Sequence, residues 1–68
     1  MSRNLTPEEA DLLLGICIEY RGKLKDELKI VEDYEARNPD LKDTEYETWI
    51  RLGNVRNVLR AERAGLLS

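Results

Sequence analysis

Residues 12–18 read Leu-Leu-Leu-Gly-Ile-Cys-Ile, seven positions without a polar side chain. The run lies in a segment whose boundary signals predict a helix, and seven consecutive helical residues point in every direction around the helix axis. A single packing partner within the chain covers only one side of a helix. The run therefore predicts that this chain associates, either with a second copy of itself or with another protein.

A helix start precedes the apolar run. The Thr6 hydroxyl can cap free backbone amides, Pro7 suits the first helical position, and Glu9 completes a capping box. Apolar or partly apolar residues then recur at helical spacing, at positions 10, 13, 14, 17, 20, 24, 28, 31 and 34. Asn38-Pro39 ends this pattern, because the residue before a proline is pushed out of the helical region. These signals predict one helix over residues 7–37.

A second helix is expected over residues 45–64. Thr44-Glu45-Tyr46-Glu47 repeats the capping-box pattern, and Gly65 suits a helix end. No segment alternates with the period of two that strands require. The short turn over residues 38–44 favours an antiparallel two-helix hairpin, so residues 1–68 are predicted to form one all-α domain.

Two glycines fall inside the predicted first helix. Each costs about 1 kcal/mol relative to alanine in a helix interior, so Gly15 and Gly22 need an explanation. One is a close approach of the second helix, which in this hairpin would bring Leu59 near Gly22. The other is that they are tolerated defects or the site of a slight bend.

Oligomerisation is the expected source of additional stability. A chain of 68 residues usually needs a disulfide, a metal or a partner, and a sequence with one cysteine and no histidine offers neither an intrachain disulfide nor a Cys/His zinc site. We therefore expect two hairpins to dimerise into a four-helix bundle. The residues predicted at the dimer interface are Leu12, Leu13, Ile16, Cys17, Ile18 and Tyr20.

Charge is unevenly distributed along the chain. Fourteen acids and eleven bases give a formal net charge of −3, yet Arg56, Arg60 and Arg63 follow one another at helical spacing near the C-terminal end. This stripe is either a contact line for phosphates or for a partner's acidic groups, or a solvated face that pairs with the acidic first helix. Acids near the predicted turn are either solvated or a docking site for a basic protein; they include Glu32, Asp33 and Glu35.

The sequence favours binding over chemistry. It has no histidine, no nucleophile beside a general base and no phosphate-binding glycine loop, so we expect no enzyme activity, cofactor or metal. The apolar run is too short to span a bilayer and the N-terminal residues do not resemble a signal peptide, which predicts a cytoplasmic location.

The expected function is that of a small regulatory or inhibitory module, phage or bacterial in type, that binds a protein as a homodimer. The residues expected to contact the partner are Arg56, Arg60, Arg63, Glu32, Asp33 and Glu35. The alternative is an RNA- or DNA-binding helical dimer that uses the arginine stripe.

Overall fold

Two consecutive residues in the left-handed region interrupt the predicted first helix. Arg21 has φ 47° and ψ 42°, and Gly22 has φ 82°. The Lys23 N–H donates to the Tyr20 carbonyl oxygen at 2.9 Å and closes a tight turn around them. In the computed structural model, which describes residues 5–65, one helix therefore ends at Tyr20 and another begins at Glu27.

The described residues form four helices, which are α1 (Pro7–Tyr20), α2 (Glu27–Arg37), α3 (Leu41–Thr44) and α4 (Tyr46–Arg63). Residues 5–65 contain no strand, so the all-α prediction is confirmed. The predicted capping box of α1 is present, since the Glu9 N–H donates to Thr6 Oγ1 at 3.2 Å and the Thr6 N–H donates to Glu9 Oε1 at 3.1 Å.

The prediction of one helix over residues 7–37 is wrong. The apolar spacing continues across the break, but two local features end the helical conformation and start it again. Gly22 follows the end of α1 in the left-handed conformation. Asp26 is the N-cap of α2, and its Oδ1 accepts the Leu28 N–H at 3.1 Å. Gly15 and Gly22 also mark no close helix approach, because a Cβ built on either would meet no atom within 4 Å.

The second helix is predicted nearly to the residue, because α4 spans Tyr46–Arg63 and Gly65 follows it in the left-handed conformation, with φ 77°. Its start differs from the prediction. The expected turn over residues 38–44 contains the short helix α3, with Leu41 buried, and Thr44 ends α3 instead of capping α4.

The core lies where α1, α2 and α4 meet. Helix α1 contacts both α2 and α4, these two contact each other, and α3 packs on α4. Val31, Leu52 and Val55 are fully buried at the centre. The rest of the buried apolar set comes from all four helices: Leu13, Ile16, Tyr20, Leu28, Ile30, Leu41 and Leu59. Within residues 5–65 the hairpin is thus replaced by a core of three longer helices, while dimerisation stays a prediction.

Substituting the two glycines of the first segment by alanine tests the helix break. Gly15→Ala should raise the free energy of unfolding by about 0.5–1 kcal/mol, because Gly15 lies in a helix interior facing open space. Gly22→Ala should lower it by about 1 kcal/mol, because alanine is strained at a φ of 82°. Urea unfolding followed by circular dichroism measures both. A stabilising Gly22→Ala would show that the first helix continues through residue 22.

Candidate binding surfaces

Ion pairs between α2 and α4 occupy the predicted arginine stripe. They are Arg56 with Glu35, Arg60 with Glu32, and Arg63 with Asp26. The Arg56 Nη1 to Glu35 Oε2 distance is 2.8 Å, and the Arg60 Nη2 to Glu32 Oε2 distance is 2.9 Å. The pairing shows that α2 and α4 run antiparallel, in a register that places Arg60 beside Glu32 and not beside the turn at Gly22. The stripe is therefore a face paired with acids of its own chain.

The three pairs differ in burial and so in strength. Arg60 and Glu32 have side chains 55% and 43% exposed, a setting in which an ion pair contributes about 0–1 kcal/mol. Arg56 and Glu35 are more enclosed, at 31% and 18%. A hydrogen bond from Arg63 holds the pKa of Asp26 below its ordinary value. A phosphate would have to compete with these carboxylates for the arginines.

Asp33, another residue predicted to contact a partner, links α1 to α2. The Tyr20 hydroxyl donates to Asp33 Oδ2 at 2.6 Å, and Arg37 Nε lies 2.9 Å from the same oxygen. The Arg37 guanidinium lies 5.5 Å from the centre of the Tyr20 ring. Burial and the bond to Asp33 raise the pKa of Tyr20 to about 12. The cluster borders an open cleft of about 580 Å³, and its polar groups fasten the end of α1 to α2.

The six residues predicted at the dimer interface separate into three groups. Leu13, Ile16 and Tyr20 are buried in the core of the chain itself. Because the break separates α1 from α2, the side of α1 that faces the core does not have to continue the apolar side of α2. Leu13, Ile16 and Tyr20, at spacing i, i+3 and i+7, lie on the side that faces the core. Leu12 and Cys17 are partly buried against the core. Ile18 is 60% exposed.

One side of α1 remains open to solvent. Leu14 and Ile18 are both 60% exposed and lie at i and i+4. Asp11 is exposed near the N-terminal end of α1, and Arg21 is exposed directly after its C-terminal end. We name these four residues, Asp11, Leu14, Ile18 and Arg21, the α1 outer face. The spacing of 3, 4 and 3 residues is visible in the sequence, but the assumption of a continuous helix assigned Leu14 to the packed side.

A second open surface lies on α4. Exposed residues without charge recur along one side of this helix, at Tyr46, Ile50, Asn54 and Asn57. We name these four the α4 outer stripe. Tyr46 is 58% exposed and Ile50 is 41% exposed. Beside them, the Tyr46 and Trp49 rings lie 5.7 Å apart between centroids.

The α4 outer stripe has a distinct border. A shallow groove of about 180 Å³ separates it from α2, lined in part by Trp49, Gly53 and Arg56. Lys42 Nζ lies 5.5 Å from the centre of the Trp49 ring. The sequence analysis singled out no residue of this surface, because helical spacing alone does not show which side of a helix its neighbours leave uncovered.

Other classes of site find no support in the described part of the chain. Within residues 5–65, no three Asp, Glu, Cys or His side chains are grouped so as to hold a metal ion. None of the helices described there has both the length and the apolar character needed to cross a membrane. Comparison of the chain with protein-family models, with curated proteins and with solved structures gives no match.

The Tyr20 cluster predicts a loss of stability in alkali. Unfolded tyrosine ionises near pH 10, whereas Tyr20 in the folded chain keeps its proton to about pH 12, so the free energy of unfolding should fall as the pH rises from 10 to 12. Tyr20→Phe should make this fall shallower than in the wild type. Tyr46→Phe makes the same chemical change at an exposed tyrosine outside the cluster and is the control for the substitution itself. Parallel curves for wild type and Tyr20→Phe would contradict the assignment.

Proposed function

We propose that this chain is a small, non-catalytic protein-binding module that acts as a homodimer and recognises its partner through the α4 outer stripe. The observation that carries the proposal is the exposure of Tyr46 and Ile50 on one uncharged side of α4. A chain of this kind would regulate or inhibit a larger protein by covering part of its surface. The cytoplasmic location expected from the sequence belongs to the same proposal.

The composition of the α4 outer stripe supports a protein as partner. The centres of protein interfaces are depleted of charge and enriched in tyrosine and tryptophan, and a few such side chains usually carry most of the binding energy. Tyr46 and Ile50 would supply this apolar anchor, with Trp49 behind them. Asn54 and Asn57 would supply hydrogen bonds around the anchor.

Charge supports a protein over a nucleic acid. The arginines that the nucleic-acid alternative requires are bound to Glu35 and Glu32 on α2 and to Asp26 at its N-cap. The α4 outer stripe itself has no cation, and the chain carries a formal charge of −3. Most non-specific nucleic-acid binding is driven by counterion release, which requires cationic side chains that neutralise phosphates. The α4 outer stripe offers none.

Removing the anchor should abolish recognition without unfolding the chain. In extracts of the source organism, immobilised wild type should retain a protein that Ile50→Asp and Tyr46→Ala lose, because each change removes apolar contact at the centre of the stripe. Ala36→Asp adds an acid at an exposed position of α2 outside the stripe and is the matched control. Circular dichroism should show the same helix content for all variants.

The proposal fails if Ile50→Asp and Tyr46→Ala retain the same proteins as the wild type. Retention of RNA or DNA that weakens steeply with added salt, and that survives both changes, would favour the nucleic-acid alternative.

A further inference from the structure

We infer that the α1 outer face pairs with the same face of a second copy, with the two α1 helices antiparallel about a two-fold axis. The inference rests on the homodimeric part of the proposed function and adds its surface and register. Leu14 and Ile18, each 60% exposed, lie at the centre of the face. Asp11 provides a negative charge at one end of the face, and Arg21 provides a positive charge at the other end. A two-fold dimer requires such a self-complementary patch.

The charges of α1 select the antiparallel direction. Residues 7–20 contain four acids and no base, and Arg21 follows at the C-terminal end. Parallel pairing would bring Asp11 close to Asp11 of the second copy and Arg21 close to its Arg21. Antiparallel pairing brings each Asp11 to the Arg21 of the other chain, so that opposite charges meet twice.

The same register joins the apolar residues. When Asp11 lies opposite Arg21 of the second copy, Leu14 lies opposite Ile18, because both pairs are centred on the level of residue 16. The two-fold axis repeats each contact. Leu14 and Ile18 of both copies would thus leave water together, between two ion pairs.

Asp11 and Arg21 are both exposed. Neither side chain forms an ion pair or hydrogen bond with another of residues 5–65, in contrast to Arg56, Arg60 and Arg63, which bind carboxylates on α2 or at its N-cap. Gly15 borders the face with no atom within 4 Å of a Cβ built on it, so the second helix can approach along this side. Only two large aliphatic side chains of each copy would leave water, Leu14 and Ile18, whereas a standard interface buries about 800 Å² per partner, so we expect a weak dimer.

Charge exchange tests the register. Sedimentation of the wild type from about 10 µM to about 1 mM should show a monomer–dimer equilibrium with a dissociation constant between about 1 µM and about 1 mM. Asp11→Arg and Arg21→Asp should each weaken the dimer about tenfold or more, since each turns two attractions into two repulsions. The double variant restores opposite charges and should return to within about threefold of the wild type.

Two further variants make the result specific. Ile18→Asp should leave a folded monomer, because it places a charge at the centre of the face. Glu19→Arg makes the same charge change as Asp11→Arg on α1 but outside the face, and should leave the dissociation constant unchanged. Arg21→Asp is compatible with the backbone, since aspartate is among the residues that tolerate the left-handed region.

Each outcome has one interpretation. A wild type that stays monomeric at about 1 mM overturns both the inference and the homodimer of the proposed function. A dimer that survives Ile18→Asp, or that the double variant fails to rescue, overturns this face and register but leaves the homodimer in place. Recognition of a partner through α4 is tested separately by Ile50→Asp. The result of that test does not depend on which face forms the dimer.

Discussion

The left-handed turn at Arg21 and Gly22 is the constraint on which the rest of this structure depends. Without it, α1 and α2 would continue as one helix, and at about 1.5 Å per residue that helix would be roughly 45 Å long. The longest dimension of the fold is 34 Å. The turn lets α1 fold back on α2 and α4, which brings Leu13 and Ile16 into a core that two helices could not close.

The turn also determines which surfaces remain for binding. Once Leu13, Ile16 and Tyr20 are buried, Leu14 and Ile18 are the large side chains of the apolar run at residues 12–18 that remain strongly exposed. The antiparallel packing of α2 on α4 neutralises the three arginines, which the sequence offered either as a contact line for a partner or as a face paired with acids of the chain itself. The exposed surfaces that remain are the uncharged α4 outer stripe and the α1 outer face, which has opposite charges at its two ends. The first is the surface proposed for a partner protein, and the second is the surface proposed for a second copy.

Local signals predicted more of this fold than long-range patterns did. Thr6, Pro7 and Glu9 predicted the start of α1, and Gly65 predicted the end of α4, because each acts through its own backbone. The recurrence of apolar residues at helical spacing gave the wrong prediction of one continuous helix, because this spacing is preserved across the six-residue break between α1 and α2. Gly22 and Asp26 carried the missing signal, but a glycine and an aspartate inside a periodic segment are each compatible with a helix. Exposure of Tyr46 and Ile50 depends on how α4 rotates against α2, which no local signal fixes.

The backbone at residues 21–26 offers the most direct test of this account. The ¹³Cα chemical shifts of the isotopically labelled chain report helical and non-helical backbone residue by residue. Helical shifts should run from Pro7 to Tyr20, vanish over residues 21–26 and return at Glu27. An unbroken series of helical shifts from residue 7 to residue 37 would contradict the turn, and with it the core and both proposed surfaces.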